Sequence, residues 1–198
     1  ISEQNFFTND VREILDDMKV RTIALNDGSG RGTAVFAVVD SIGMSNGDIR
    51  IIREKLASFA EENDINSINI FATHTHSGID TQGLWGEKIY KSGRNEEFMS
   101  SLKHKTANAI IESCKNRTDG KIYFTKTETE DLQYDCRTPE TYDRNLNRIH
   151  FVPFDKAKKE IFAVDFASHA ELMGSKTKKV SADFPCYMIK AMENEHKN

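Results

Sequence analysis

Apolar positions along the chain fall into short alternating or continuous runs separated by turn-forming residues, and these runs predict the order of elements. Val20 to Leu25 and Thr33 to Asp40 read as strands, and Asn26-Asp27-Gly28-Ser29-Gly30 between them supplies the glycines and Asx residues of a tight turn. A hairpin is expected there. Asn46 or Asp48 caps a helix to about Glu62, with Ile49, Ile52, Leu56 and Phe59 on one stripe and charges opposite. Ile65 to Thr73, with Ile68-Asn69-Ile70-Phe71-Ala72 at its centre, reads as a buried strand. Strand, helix, strand in this order predicts a right-handed crossover that lays the Thr33 to Asp40 and Ser67 to Thr73 strands parallel and close together. Asp40 and His74 then share the carboxyl edge of the sheet, where open α/β sheets bind their ligands.

A second helix is predicted from about Asn95 to Lys115, with Phe98, Leu102, Ala107, Ile110 and Ile111 inward. Lys121 to Lys126, Arg148 to Phe154 and Glu160 to Phe166 read as three further strands. Between the first two lies Thr127 to Leu146, polar and aperiodic, and a loop that long is usually an active-site element or disordered. Ser181-Ala182-Asp183-Phe184-Pro185 supplies a cap and a proline for a closing helix over Tyr187 to Glu195. The fold class expected is α/β: a mixed sheet with a parallel βαβ core and helices on its faces, a layered sandwich. At 198 residues the chain is the size of one domain.

Charge narrows the partners. The 27 basic and 31 acidic residues are spread evenly and leave a net charge of −4, so no single-signed field is present to grip nucleic acid. The densest basic cluster, Lys176, Lys178 and Lys179, is short, lacks aromatic neighbours and reads as a solvated loop. Cys114, Cys136 and Cys186 have neither disulfide-framework nor zinc-type spacing. No apolar run is long enough for a membrane-spanning helix, and no leader pattern opens the sequence at Ile1.

The chemistry-bearing residues gather at predicted strand ends. His74 and His76 are two apart, so both imidazoles project to one side, and one can bind a metal while the other serves it. The pair alone fits a metal site or two ordinary surface or core histidines. Its setting, at a sheet edge and followed by the flexible Ser77-Gly78, favours function. Neutral imidazole suits zinc, and catalytic zinc takes about three protein ligands and keeps one open position. His169 also follows a predicted strand, and reaches the same crevice if the two strands are near neighbours. Asp40 is a candidate to orient a ligand histidine, or else caps a turn. His150 alternates with Arg148 on one strand face, and Trp85 either walls an apolar substrate or anchors a loop. His104 and His196 are given no role.

In order along the chain, Ala72-Thr73-His74-Thr75-His76-Ser77-Gly78, Asn145-Leu146-Asn147-Arg148, Phe166-Ala167-Ser168-His169 and Ser181-Ala182-Asp183-Phe184-Pro185 resemble the catalytic domain of the neutral ceramidase family. Arg21-Thr22-Ile23-Ala24-Leu25 and Val38-Val39-Asp40 through Gly43-Met44 are similar to that domain's early strands, so the matches run from about residue 20 to 190. The resemblance implies zinc held by His74 and His169, with His76 and Arg148 facing the substrate. It also implies a glutamate and a tyrosine that complete the metal shell farther downstream. The whole 198 residues are then one partial catalytic domain lacking its opening strand and its downstream part, inactive in isolation.

The activity implied is zinc-dependent hydrolysis of an N-acyl amide of the ceramide kind, in which zinc acidifies a water that attacks the amide carbon. His76 then passes the proton to the leaving amine, and Arg148 steadies the developing oxyanion. A secreted or cell-surface location and a lipid-like substrate follow from the same resemblance. Two positions depart from the family pattern. Ser77-Gly78 is followed by Ile79-Asp80 rather than proline, and Cys186 replaces the glycine after Asp-Phe-Pro, which leaves the particular amide open. Two alternatives are carried. Metal-dependent phosphoesterases of the polymerase-and-histidinol-phosphatase type also use His-x-His-Ser, though on their first strand. A relative that keeps the fold but only binds a ligand is the other.

Overall fold

The computed structural model describes residues 13–86, 88, 90–174 and 177–196. Within it, β1(Glu13–Ile14), β2(Val20–Leu25), β3(Thr33–Val39) and β4(Ile65–Ala72) precede the long central helix, and β5(Gly120–Glu128), β6(Asn145–Pro153), β7(Ile161–Phe166) and β8(Lys179–Val180) follow it. The described helices are α1(Asn46–Lys55), α2(Ala57–Glu62), α3(Glu96–Lys115) and α4(Asp183–Glu195). The strands form three sheets, ordered β1-β8, β2-β3-β4 and β5-β6-β7, in a mixed α/β architecture. The chain divides into two compact units: the described parts of 1–116 with 170–198, and Arg117–His169.

In the first unit, β3 runs antiparallel to β2 and parallel to β4, with Val39 opposite Val20 on one side and Ala72 on the other. This is the mixed sheet and crossover that the sequence predicts. Thr33, Val35, Ala37 and Val39 are buried on one face of β3, because the pleat sends every second residue the same way. Val35, Ala37 and Ile68 meet Ile52, Leu56, Ala107, Ile110 and Cys114 from the helices in one core. Each fully buried Val, Leu or Ile stabilises by roughly 1.5–3 kcal/mol, so this cluster dominates the unit's cohesion. Thr22 Oγ1 donates to the Ala109 carbonyl at 2.9 Å, fastening α3 to β2.

Local differences from the predicted elements have local causes. The β2–β3 connection is a wider loop over 26–32, in which Gly28, Gly30 and Gly32 all take positive φ. The first helix is capped by Ser45, not Asn46 or Asp48: Ser45 Oγ accepts from the Asp48 N–H at 3.1 Å. The Asp48 carboxylate is taken up instead by Arg94, at 2.7 and 2.8 Å, and by Lys103 at 3.0 Å. The predicted single helix to Glu62 is broken at Leu56, whose N–H is shared between the Ile52 and Arg53 carbonyls. The last helix starts at Asp183, four residues before Tyr187, with Pro185 in its first turn, where its missing N–H costs nothing.

The second unit is an antiparallel meander, β5-β6-β7, with Thr125 opposite Arg148 and Arg148 opposite Val164. The long segment between β5 and β6 is organised by its own polar groups: Asp135 accepts from the N–H groups of Arg137 and Thr141, each at 3.0 Å. Lys179 pairs with Glu13 in the short β1–β8 ladder rather than lying in a solvated loop, and Lys176 lies outside the described residues. No described helix is long and apolar enough to cross a membrane.

Candidate functional site

The parallel pairing of β3 and β4 brings their carboxyl ends together, and the Thr73 N–H still donates to the Val39 carbonyl at 3.0 Å as β4 ends. The chain then turns at His74, which takes a φ of 62°. A left-handed backbone costs a non-glycine residue roughly 1–2 kcal/mol, and such strain persists only where the surroundings enforce it. Here His74 Nδ1 lies 2.7 Å from the Ile42 carbonyl in the loop after β3. A carbonyl only accepts, so Nδ1 carries the proton and Nε2 is the basic nitrogen. Sequence reasoning expects the backbone to turn at Ser77-Gly78, and a turn does run over 76–78, after the left-handed residue at His74. Gly78 is also tightly placed: a Cβ there would sit 3.0 Å from the Met18 methyl.

His76 stands edge-on to His74, with ring centroids 4.9 Å apart at 89° and the two Nε2 atoms 3.5 Å apart. Both imidazoles therefore do face one side. Between and after them, Thr75 and Ser77 are buried. Thr75 Oγ1 donates to the Ser181 carbonyl at 2.8 Å, and the Ser181 N–H donates to the Ser77 carbonyl at 3.0 Å. The His76 N–H donates to the Ala170 carbonyl at 3.1 Å, and its Nδ1 faces Glu171 Oε1 at 3.7 Å.

Asp40 does not orient a histidine. Its Oδ2 accepts from Arg21 at 2.8 Å and from the Lys19 N–H at 3.0 Å, and the Ile42 carbonyl occupies the orienting position at His74. Asp80, almost fully buried, accepts from the N–H groups of Gln82, Gly83, Leu84 and Trp85, and so shapes the loop that follows the histidines. Trp85 is half-buried as part of that loop.

Arg148 and His169 belong to the second unit. Arg148 lies on β6, its Nε donating to Thr125 Oγ1 at 3.1 Å and its guanidinium 5.6 Å above the Phe162 ring. His150, two residues on, stacks on Phe162 at 4.3 Å and pairs with Glu160 at 2.6 Å, a structural arrangement. His169 follows β7 and is exposed. β7 and β4 are in different sheets, so strand pairing does not carry His169 towards His74.

Sequence reading missed Ile42 and Glu171, and gave Asp183 a place only in a cap and in the family resemblance. A backbone carbonyl such as Ile42's leaves no residue-type signal. Glu171 had one, an acid two places after a candidate ligand. Asp183, fully buried with a φ of 57°, accepts from the N–H groups of Leu172 at 3.2 Å and Met173 at 3.1 Å.

No protein-family model matches the sequence, and no curated protein matches it either. Solved structures do match in fold. A ceramidase complexed with C2 superposes with a TM-score of 0.68 at 15% identity, over 90% of this chain and 30% of that one. The neutral ceramidase from Pseudomonas aeruginosa gives a TM-score of 0.65 at 14% identity, over 86% of this chain and 29% of that one. The chain thus has the fold of a part of these ceramidase structures and spans about 30% of their length.

Proposed function

We propose that the chain is part of a zinc-dependent hydrolase of N-acyl amide bonds of the ceramide kind, with His74 and His169 as zinc ligands. The observation that carries the reading is the strained His74, held with Nδ1 on the Ile42 carbonyl so that Nε2 is the ligating nitrogen. Outer hydrogen bonds of this type fix the tautomer and ring direction of metal-binding histidines, and neutral imidazole is a preferred zinc ligand, so the donor chemistry fits. The likeness in fold to ceramidase structures supports the same reading.

When bound, zinc supplies Lewis acidity and lowers the pKa of water at the site. The chain's own residues do the rest. His76, with Nδ1 towards Glu171 and Nε2 beside His74, takes up a proton and returns it to the leaving amine, a task suited to a side chain that changes charge near neutral pH. Arg148 holds a substrate oxygen through its planar fork of donors, steadied by Thr125 and Phe162. A lipid-like amide substrate and a secreted or cell-surface location belong to the same proposal.

Metal analysis of the whole protein beside a His74→Ala variant tests it. The variant is expected to lose most of its zinc and its amidase activity. Equal zinc in the two proteins would sink the ligand assignment.

A further inference from the structure

Ser181, Ala182 and Asp183 are each fully buried, yet two of the three are polar, and every polar group of theirs described above reaches a loop rather than solvent. Ser181 holds the histidine loop on both sides of His76. Its carbonyl accepts from Thr75 Oγ1 at 2.8 Å, and its N–H donates to Ser77 at 3.0 Å. Its hydroxyl donates to Asp16 Oδ2 at 2.6 Å and accepts from the Asp183 N–H at 3.0 Å, which ties it to its neighbour two residues on. Asp183 in turn fixes the N–H groups of Leu172 and Met173, just after Ala170 and Glu171. Those last two residues are the ones that meet the His76 N–H and ring.

We infer that Ser181-Ala182-Asp183 is a clamp that sets the position of His76, with Asp183 as a positioning residue acting through the 170–173 loop. Two arms reach the same histidine, one through Thr75 and Ser77 and one through Ala170 and Glu171, and both start from these three buried residues. A carboxylate is required at Asp183 because it must accept from successive backbone N–H groups and from its own neighbour Phe184, at 2.6 Å. An amide offers one oxygen and turns an N–H₂ donor towards the remaining N–H. The left-handed φ of 57° adds to this, since Asp and Asn tolerate that region better than most side chains. Asp16 anchors the assembly from behind. Burial raises its carboxyl pKa, but hydrogen bonds from Ser181, Lys190 and Tyr187 outweigh that and hold it below the ordinary value.

The functional consequence rests on the zinc hydrolase reading, whereas the positioning itself does not, and the experiment separates them. Amide hydrogen exchange is measured on the metal-free whole protein and on Asp183→Asn and Thr75→Val, followed by amidase activity and zinc content of the zinc-loaded proteins. In both variants the His76 amide is expected to exchange about tenfold faster or more, while Val35 and Ala37 in the core keep their protection. Amidase activity is expected to drop about tenfold or more, as for a proton-transfer group moved out of place, while zinc, held by His74 and His169, stays near the parent's content. Unchanged protection of the His76 amide in Asp183→Asn overturns the clamp, and so does a loss spread equally over Val35 and Ala37. If Asp183→Asn does not fold, Thr75→Val reads the same amide from the other arm with the same two outcomes. Equal zinc in the parent and His74→Ala would overturn the metal reading and leave the clamp to stand or fall on the exchange data.

Discussion

The two units of this chain treat their polar residues in opposite ways. In the first, Asp16, Asp40, Asp48 and Asp183 are almost sealed from solvent and accept from donors that tie distant segments together, while the equally buried Asp80 gathers four successive N–H groups of its own loop. Taking a carboxylate out of water is costly unless it is hydrogen-bonded, so the donors that reach these groups hold the backbone around them in place. In the second, the described residues contribute nothing to the buried apolar core, Ile122, Tyr123, Phe124 and Ile161 lie exposed, and carboxylates such as Asp135 order only their own loop. The difference teaches where precision resides. The histidine pair, its ring centroids 4.9 Å apart, is placed in the unit with an interior, at the edge of its parallel strands.

The contrast can be broken most forcefully in the core. Ile110→Ala removes a side chain with no solvent exposure from the cluster around β3, and is expected to cost about 2–5 kcal/mol in denaturant unfolding. A loss below about 1 kcal/mol would mean that the first unit is no better packed than the second. Asp48 sharpens the comparison electrostatically. The Arg94 hydrogen bonds, aided by Ser45 and Lys103 and opposed by burial, hold its carboxyl well below the usual carboxylate range. A depressed folded-state pKa adds stability that is present above the unfolded value of about 3.9 and is lost as the pH falls towards the folded one. Asp48→Asn is therefore expected to lose about 2–3 kcal/mol near neutral pH and to show a flatter decline in stability below about pH 4. An unchanged acid limb in the variant would count against the Arg94 pair as its source. The smallest effect is expected in the second unit. Phe124→Ser, at a side chain 75% exposed, should shift stability by no more than about 0.5 kcal/mol. A cost several times larger would show that this face of β5 is covered by something.

Much of the scaffold was legible in the residues. β2, β3, β4 and α3 stand where alternation and helical periodicity predict them, because those patterns describe a face against a core, and β3 buries every second residue as expected. The closing helix was placed four residues late, since Ser181 and Asp183 look like simple caps until their partners in other loops are known. The histidine pair was legible in its residue types and its place after β4, whereas the left-handed turn at His74 was not.

From sequence, then, come the α/β class, the crossover that sets Asp40 and His74 at one sheet edge, and the candidacy of His74, His76, Arg148 and His169. Tertiary structure decided which partners those groups meet. It replaced Asp40 with the Ile42 carbonyl behind His74, gave His74 itself a left-handed backbone, and brought Glu171 to His76. The reason is physical. Periodicity records only whether a side chain faces water, whereas a hydrogen bond depends on where two remote stretches of backbone come to rest.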